Sequence, residues 1–161
     1  RQMCIRDRYK ETLIQFQFYR AGLGTVSVGI AQASLDASIK YARERIQFGR
    51  PIASFQLIQN MIVEMLAETE AARFLTLKAW GKIDRGERAE VEAALGKAFA
   101  TEVAVKVASR AIQIHGAYGL SSEYPVERYF RDARTMTIPD GTTEIMKLIV
   151  GRRVLGISAI E

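Results

Sequence analysis

The stretch FQLIQNMIVEMLAETEAARFLTLKAWGKID, Phe55 to Asp84, decides the fold class. Apolar and small residues recur in it at Phe55, Ile58, Ile62, Met65, Thr69, Ala72, Thr76, Trp80 and Ile83. Steps of three and four lay one stripe along an α-helix. The pattern stops at Asp84-Arg85-Gly86, and a helix of that length spans ~45 Å, enough for one rod of a bundle. Upstream, Val26, Ile30, Ala33, Ala37 and Tyr41 repeat the spacing between about Gly24 and Gln47. That run ends at Phe48-Gly49-Arg50-Pro51, where Gly49 suits a left-handed cap and Pro51 cannot continue a helix. Downstream, Ala94, Ala98, Thr101, Val105, Ala108 and Ile112 form a third stripe that closes at Gly116. A link from Gly116 to Ser122 follows, then a short segment opened by Pro125, which is well placed at a first helical turn. Ile138-Pro139-Asp140-Gly141-Thr142 breaks the chain before a last helix with Ile145, Leu148, Ile149 and Arg152 on one side.

The expected elements are helices near 24–47, 54–84 and 88–115, a shorter one after Pro125 and one after Thr142. Phe55, Ile62, Leu66, Ala98 and Val105 are expected to be buried between them. No strand-like period of two is present. The fold class is all-α, an up-down four-helix-type bundle with additional short C-terminal helices. Residues 20–161 are read as that bundle domain. Residues 1–19 show no clear period and stay unassigned, with residues 1–8 read as a foreign junction.

At 161 residues, 48% hydrophobic and 25% charged, the chain has the composition of one globular domain. Cys4 and His115 are its single cysteine and single histidine, which leaves too few ligands for a structural zinc site within one chain. A Ser-His-Asp or Cys-His catalyst would have to be built around His115. The net charge of +5 lies in residues 1–52, with nine Lys/Arg against four Asp/Glu. No basic run exceeds two residues and basic residues do not alternate with aromatics, so nucleic acid is not the expected partner. A local anion site fits better. There is no apolar run of ~18 residues to span a membrane. A lone cysteine suits a reducing compartment, and the expected location is cytoplasmic.

Bundles build sites where helix ends meet, so the punctuating segments are the candidates. In Arg43-Glu44-Arg45-Ile46-Gln47-Phe48-Gly49-Arg50, the arginines either complement a helix dipole or fork onto phosphate beside the flat face of Phe48. In Gln113-Ile114-His115-Gly116-Ala117, Gly116 either caps a helix or lets a ligand approach the backbone. In Asp140-Gly141-Thr142-Thr143-Glu144, Asp140 and Thr142 either cap the last helix or, with its amides, form a ligand site. Each segment alone leaves both readings open.

Together they are specific. Ala42 to Ile52, Phe55-Gln56-Leu57-Ile58-Gln59, Gln113 to Gly119, Tyr124-Pro125-Val126-Glu127-Arg128, Arg131-Asp132-Ala133 and Gly141-Thr142-Thr143-Glu144-Ile145 resemble the C-terminal domain of acyl-CoA dehydrogenases, in order and in spacing. The resemblance covers about Arg20 to Val154. It implies FAD bound between subunits of a homodimer or homotetramer, and oxidation of acyl-CoA thioesters to 2-enoyl-CoA, with electron-transfer flavoprotein or a similar acceptor as partner. By the same resemblance, Arg45, Gln47 and Phe48 meet a neighbouring subunit's FAD near its diphosphate. Gln113, Ile114, His115, Gly116 and Ala117 match the loop around the adenosine half. Thr142 and Glu144 match flavin-nucleotide contacts, while Arg20 and Gly141 match positions beside the acyl-CoA.

Asp140 stands where the family's usual base is a glutamate. Some relatives carry the glutamate on the first helix beside the arginine matched by Arg20, but here that neighbour is Tyr19. Asp140 is therefore the expected α-proton base, one methylene shorter than usual. Relatives acting on cyclic acyl-CoA substrates use aspartate, so an altered substrate is the expectation. Ala117 replaces a common glycine. The family's N-terminal helical and central β-domains lie outside this chain, so the chain alone is expected to be inactive. Three alternatives remain: an enoyl-CoA reductase, an acyl-CoA oxidase of the same fold, or a non-catalytic helical interaction module.

Overall fold

Three long helices and two short ones make up the computed structural model, which describes residues 2–159. They are α1 (Gln2–Glu44), α2 (Gln56–Asp84), α3 (Glu90–His115), α4 (Val126–Met136) and α5 (Thr143–Leu155). A tiny antiparallel hairpin joins α1 to α2, pairing β1 (Ile46–Gln47) with β2 (Arg50–Pro51). Single 3-10 turns cover Ile52–Ser54 and Gly116–Leu120.

Side-chain pairs give the directions. Trp80 Nε1 donates to Thr25 Oγ1 at 2.9 Å and Arg73 Nη2 to Gln32 Oε1 at 2.6 Å, so α1 and α2 are antiparallel. Lys82 meets Glu92 at 2.7 Å, whereas Arg110 reaches back to Glu64 and Glu68, so α3 reverses again. Thr143 pairs with Glu102 and Arg153 with Glu90, which turns α5 against α3. The fourth rod of this up-down bundle is thus shared by α4 and α5. It is broken in the middle, at Thr137–Thr142.

Burial explains why α3 sits at the centre: it packs against all four other helices and is buried around most of its circumference. Small residues let the backbones close in. A Cβ on Gly96 would stand 3.3 Å from the Leu75 carbonyl, and one on Gly24 would stand 3.2 Å from Thr76 Oγ1. Hydroxyls enter this core by bonding within their own helix. Ser27, Ser34, Ser38, Thr69, Thr76 and Thr101 each donate to the carbonyl four residues earlier. Among the described residues no buried side-chain polar atom lacks a partner, and no helix is long and apolar enough to cross a membrane.

Several expectations need correction. The first helix ends at Glu44, so Gln47 lies in the hairpin, and the left-handed pair Phe48 (φ 52) and Gly49 (φ 77) forms the hairpin turn rather than a helix cap. At its other end α1 begins at Gln2, and its backbone covers the residues that had no readable period. Its buried stripe is Ala21, Val28, Ala31, Leu35, Tyr41 and Ala42 with Ser27, Ser34 and Ser38; of the expected stripe Tyr41 is buried, Ile30, Ala33 and Ala37 are half-buried and Val26 is exposed. The spacing is right but its register is offset, because serines occupy core-facing steps. Ala98 is buried, but Phe55, Ile62 and Val105 are only half-buried and Leu66 is 48% exposed. On α5 the inward residues are Thr143 and Met146, while Ile145, Leu148 and Arg152 face outward.

Candidate functional site

The break between α4 and α5 gathers the first cluster. Pro139 cannot extend α4, and Asp140 (φ 54) and Gly141 (φ 102) follow in succession at positive φ. A Cβ on Gly141 would stand 2.6 Å from Met146 Cε and 3.3 Å from Ile145 Cγ2, so only glycine fits without displacement. The two carbonyls at the break are taken by cations from other helices. Arg20 Nε on α1 donates to the Asp140 carbonyl at 3.3 Å. Lys97 Nζ on α3 donates to the Gly141 carbonyl. Thr142 precedes α5 without a side-chain cap bond, and Thr143 Oγ1 donates to Glu102 Oε1 at 2.7 Å.

A left-handed aspartate costs about 1 kcal/mol. A hydrogen bond to a charged group contributes about 1.5–3 kcal/mol, so the Lys97 clamp alone is large enough to hold the turn. Burial pulls the Lys97 ammonium below the ordinary lysine value, with Asp140 opposing and Arg20 reinforcing the shift. Burial likewise lowers Arg20, against the pull of Glu90 and Asp140. Asp140 therefore stands in the field of two partly desolvated cations. Glu144, at the surface, is lowered by its hydrogen bond with Thr142.

The second cluster lies at the other end of α3, ~27 Å along the helix from Lys97 to His115. Arg45, Gln47 and Phe48 are exposed on the hairpin, with Phe48 92% exposed. The Arg45 guanidinium lies over the Tyr118 ring at 5.8 Å, which brings the hairpin against the 3-10 turn after α3. Tyr41, Glu44, Arg45, Tyr118, Glu123 and Tyr124 line a cleft of about 360 Å³ between them. Gln113, Gly116 and Ala117, just before Tyr118 in the chain, are exposed, and Gly116 has φ 61 with open space beside it.

His115 and Ile114 point inward instead. The His115 ring stacks on Tyr41 at 4.2 Å, its Nδ1 is 2.7 Å from the Ala111 carbonyl, and burial lowers its pKa. Its side chain supports the turn from beneath and is not offered to a ligand. The structure thus brings Arg20, Asp140, Gly141, Thr142 and Glu144 together, and separately Arg45, Gln47, Phe48 and the residues around Gly116.

Lys97 was missed by sequence reasoning. The available signal was a lysine three residues after Ala94 and four before Thr101, on the core-facing side of an otherwise apolar helix.

Residues 11–155 match the family described as acyl-CoA dehydrogenase, C-terminal domain. The chain belongs to this family. Among curated proteins it is 46% identical over 147 residues to a probable acyl-CoA dehydrogenase, YngJ, of Bacillus subtilis, covering 91% of this chain and 39% of that protein. It is 42% identical over 136 residues to the caffeyl-CoA reductase-Etf complex subunit CarC of Acetobacterium woodii, covering 84% and 36% respectively. Butyryl-CoA dehydrogenase of Megasphaera elsdenii superposes with a TM-score of 0.90 at 38% identity, over 91% of this chain and 38% of that one. The chain therefore spans less than half the length of the relatives it matches.

Proposed function

We propose that the whole protein is a FAD-dependent oxidoreductase that converts an acyl-CoA thioester to its 2-enoyl-CoA, with Asp140 as the base that removes the α-proton. The observation that carries this reading is the clamped break: Asp140 and Gly141 at positive φ, with Arg20 and Lys97 bonded to the turn's two carbonyls. Arg20 and Lys97 hold the turn through its carbonyls, which leaves the Asp140 carboxylate as the proton acceptor. In this reading Thr142 and Glu144 serve the flavin nucleotide, and Arg20 serves the CoA.

The donor set at the other end fits FAD. An exposed guanidinium on Arg45, the Gln47 amide, the bare ring of Phe48 and open backbone at Gly116 suit a diphosphate joined to a flat heteroaromatic group. Bound FAD supplies the hydride acceptor for the β-carbon. The ~27 Å between the clusters supports one chain serving two cofactor sites, its own and a neighbour's. Self-association then uses the outer face of α2, where Val63, Leu66, Phe74 and Leu77 are exposed in a helical stripe. Electron-transfer flavoprotein is the electron partner in this reading, and the location is cytoplasmic.

The shorter reach of Asp140 supports a cyclic or branched acyl group. A second reading, an enoyl-CoA reductase, is favoured by the likeness to the caffeyl-CoA reductase subunit. The test is anaerobic titration of the full-length flavoprotein with straight-chain and cyclic acyl-CoA thioesters. Bleaching of the flavin absorbance with 2-enoyl-CoA formation is expected, fastest with a cyclic thioester. Turnover only from 2-enoyl-CoA and a reduced donor would establish the second reading.

A further inference from the structure

We propose that Lys97 is the positioning residue of this site: by fixing the Gly141 carbonyl it sets where the neighbouring Asp140 carboxylate stands against the acyl-CoA α-carbon. The proposal rests on the reading of Asp140 as the base. Lys97 is 1% exposed on the most deeply buried helix, among Ala94, Ala98, Ala100 and Thr101. Burying an ammonium is unfavourable unless a specific group receives it. Methionine would fill similar space without that penalty, so packing does not account for the charge. The Gly141 carbonyl does, because Lys97 Nζ donates to it directly.

The backbone needs such a fixture. Asp140 at φ 54 is in a region that L residues rarely occupy, and Gly141 beside it is free to rotate. Met146 Cε and Ile145 Cγ2 stand where a Cβ on Gly141 would fall, so they bar a side chain there without fixing the backbone of a glycine. Lys97 fixes it through the carbonyl. Arg20 on the Asp140 carbonyl and the Thr143–Glu102 bond bracket the same four residues, but Arg20 is half-exposed and its bond is long at 3.3 Å. The charged contact made from a fully buried side chain is the Lys97 one. Its ammonium also feels the Asp140 charge, which opposes the effect of burial on Lys97.

The test compares Lys97→Met and Lys97→Arg with the parent in the full-length flavoprotein. Flavin reduction by acyl-CoA and amide hydrogen exchange along the chain are measured in each. In Lys97→Met the reduction rate is expected to fall by about 10²-fold, as for a misplacement of about 1 Å, while KM for the thioester changes by less than about twofold. Exchange at Met146, whose amide donates to the Thr142 carbonyl at the turn, rises about tenfold or more, with Ala72–Ala79 unchanged. Lys97→Arg, which keeps a charged donor, recovers protection at Met146 and most of the rate. Loss of protection throughout the bundle, or a loss of rate that Lys97→Arg does not rescue, overturns the positioning role. If Lys97→Met fails to fold, Lys97→Gln carries the same comparison, with the same expected and opposing results. Asp140→Asn run in parallel separates the two levels. Undiminished flavin reduction in Asp140→Asn removes the base reading. Undiminished reduction and exchange in Lys97→Met, beside a slow Asp140→Asn, overturns the Lys97 proposal alone.

Discussion

The two ends of α3 solve the same problem, holding an irregular turn in place, in opposite ways. At the Asp140–Thr142 break the turn is held from within the chain, by Lys97 and Arg20 on its carbonyls and by Met146 underneath. At the α1–α2 corner the turn protrudes, and Phe48 and Gly49 adopt positive φ with open space around Gly49. The first region is preorganised, which suits the proposed removal of a proton at a defined position. The second is an open surface whose exposed guanidinium and ring suit a ligand arriving from outside. In the proposed function the clamped turn belongs to the chain's own site and the open one is the docking half-site for a neighbour's FAD.

Substitutions should affect the two regions unequally. Met146 is fully buried beneath the break, so Met146→Ala should lower unfolding free energy by about 2–5 kcal/mol in denaturant titration. Phe48→Ala, at a ring 92% exposed, should stay within about 0.5 kcal/mol. Equal losses would show that the corner is packed as tightly as the break. The glycines give the next contrast. Gly141→Ala must place a methyl group into Met146 at φ 102 and should cost about 1–3 kcal/mol. Gly49→Ala at φ 77 meets nothing and should cost only about 1 kcal/mol. Thermal unfolding of the pair would reverse this order if the break were the more compliant turn.

A smaller effect is carried by pH. Burial lowers His115 from its ordinary value of 6.5. The unfolded chain then binds the proton more readily than the folded one, so stability is full above pH 6.5 and declines as pH falls below it. In His115→Gln that decline should flatten, which stability curves from pH 7.5 to 5 will register. Smallest in stability but distinct in function is Arg45→Ala, which should leave the bundle folded while the full-length protein retains less FAD. Flavin content unchanged after gel filtration would remove Arg45 from the docking half-site.

What was legible in the sequence follows the physics of each signal. The α2 stripe was readable because Met65, Thr69, Ala72 and Thr76 all lie on the buried face and the run closes at Asp84-Arg85-Gly86. The α1 register was harder to read, since Ser27, Ser34 and Ser38 are buried with their hydroxyls satisfied inside the helix. Leu66 was misplaced for the opposite reason: apolar residues on the outer face of α2 look like core when only composition is seen. The motif singles out Asp140, Gly141 and Thr142, but not the clamp that gives them shape. A lysine 44 residues away contributes through a carbonyl, and backbone acceptors leave no trace in sequence.

The central claim is that Asp140 is the proton-abstracting base at a turn the bundle holds ready. Stopped-flow flavin reduction of full-length Asp140→Asn by its best acyl-CoA tests it most directly. Asparagine keeps the side-chain shape and leaves the carbonyl contact from Arg20 in place. Folding and FAD content should therefore match the parent, while reduction should slow by about 10²-fold or more. Flavin reduction at the parent rate in a folded, FAD-loaded Asp140→Asn would contradict the account.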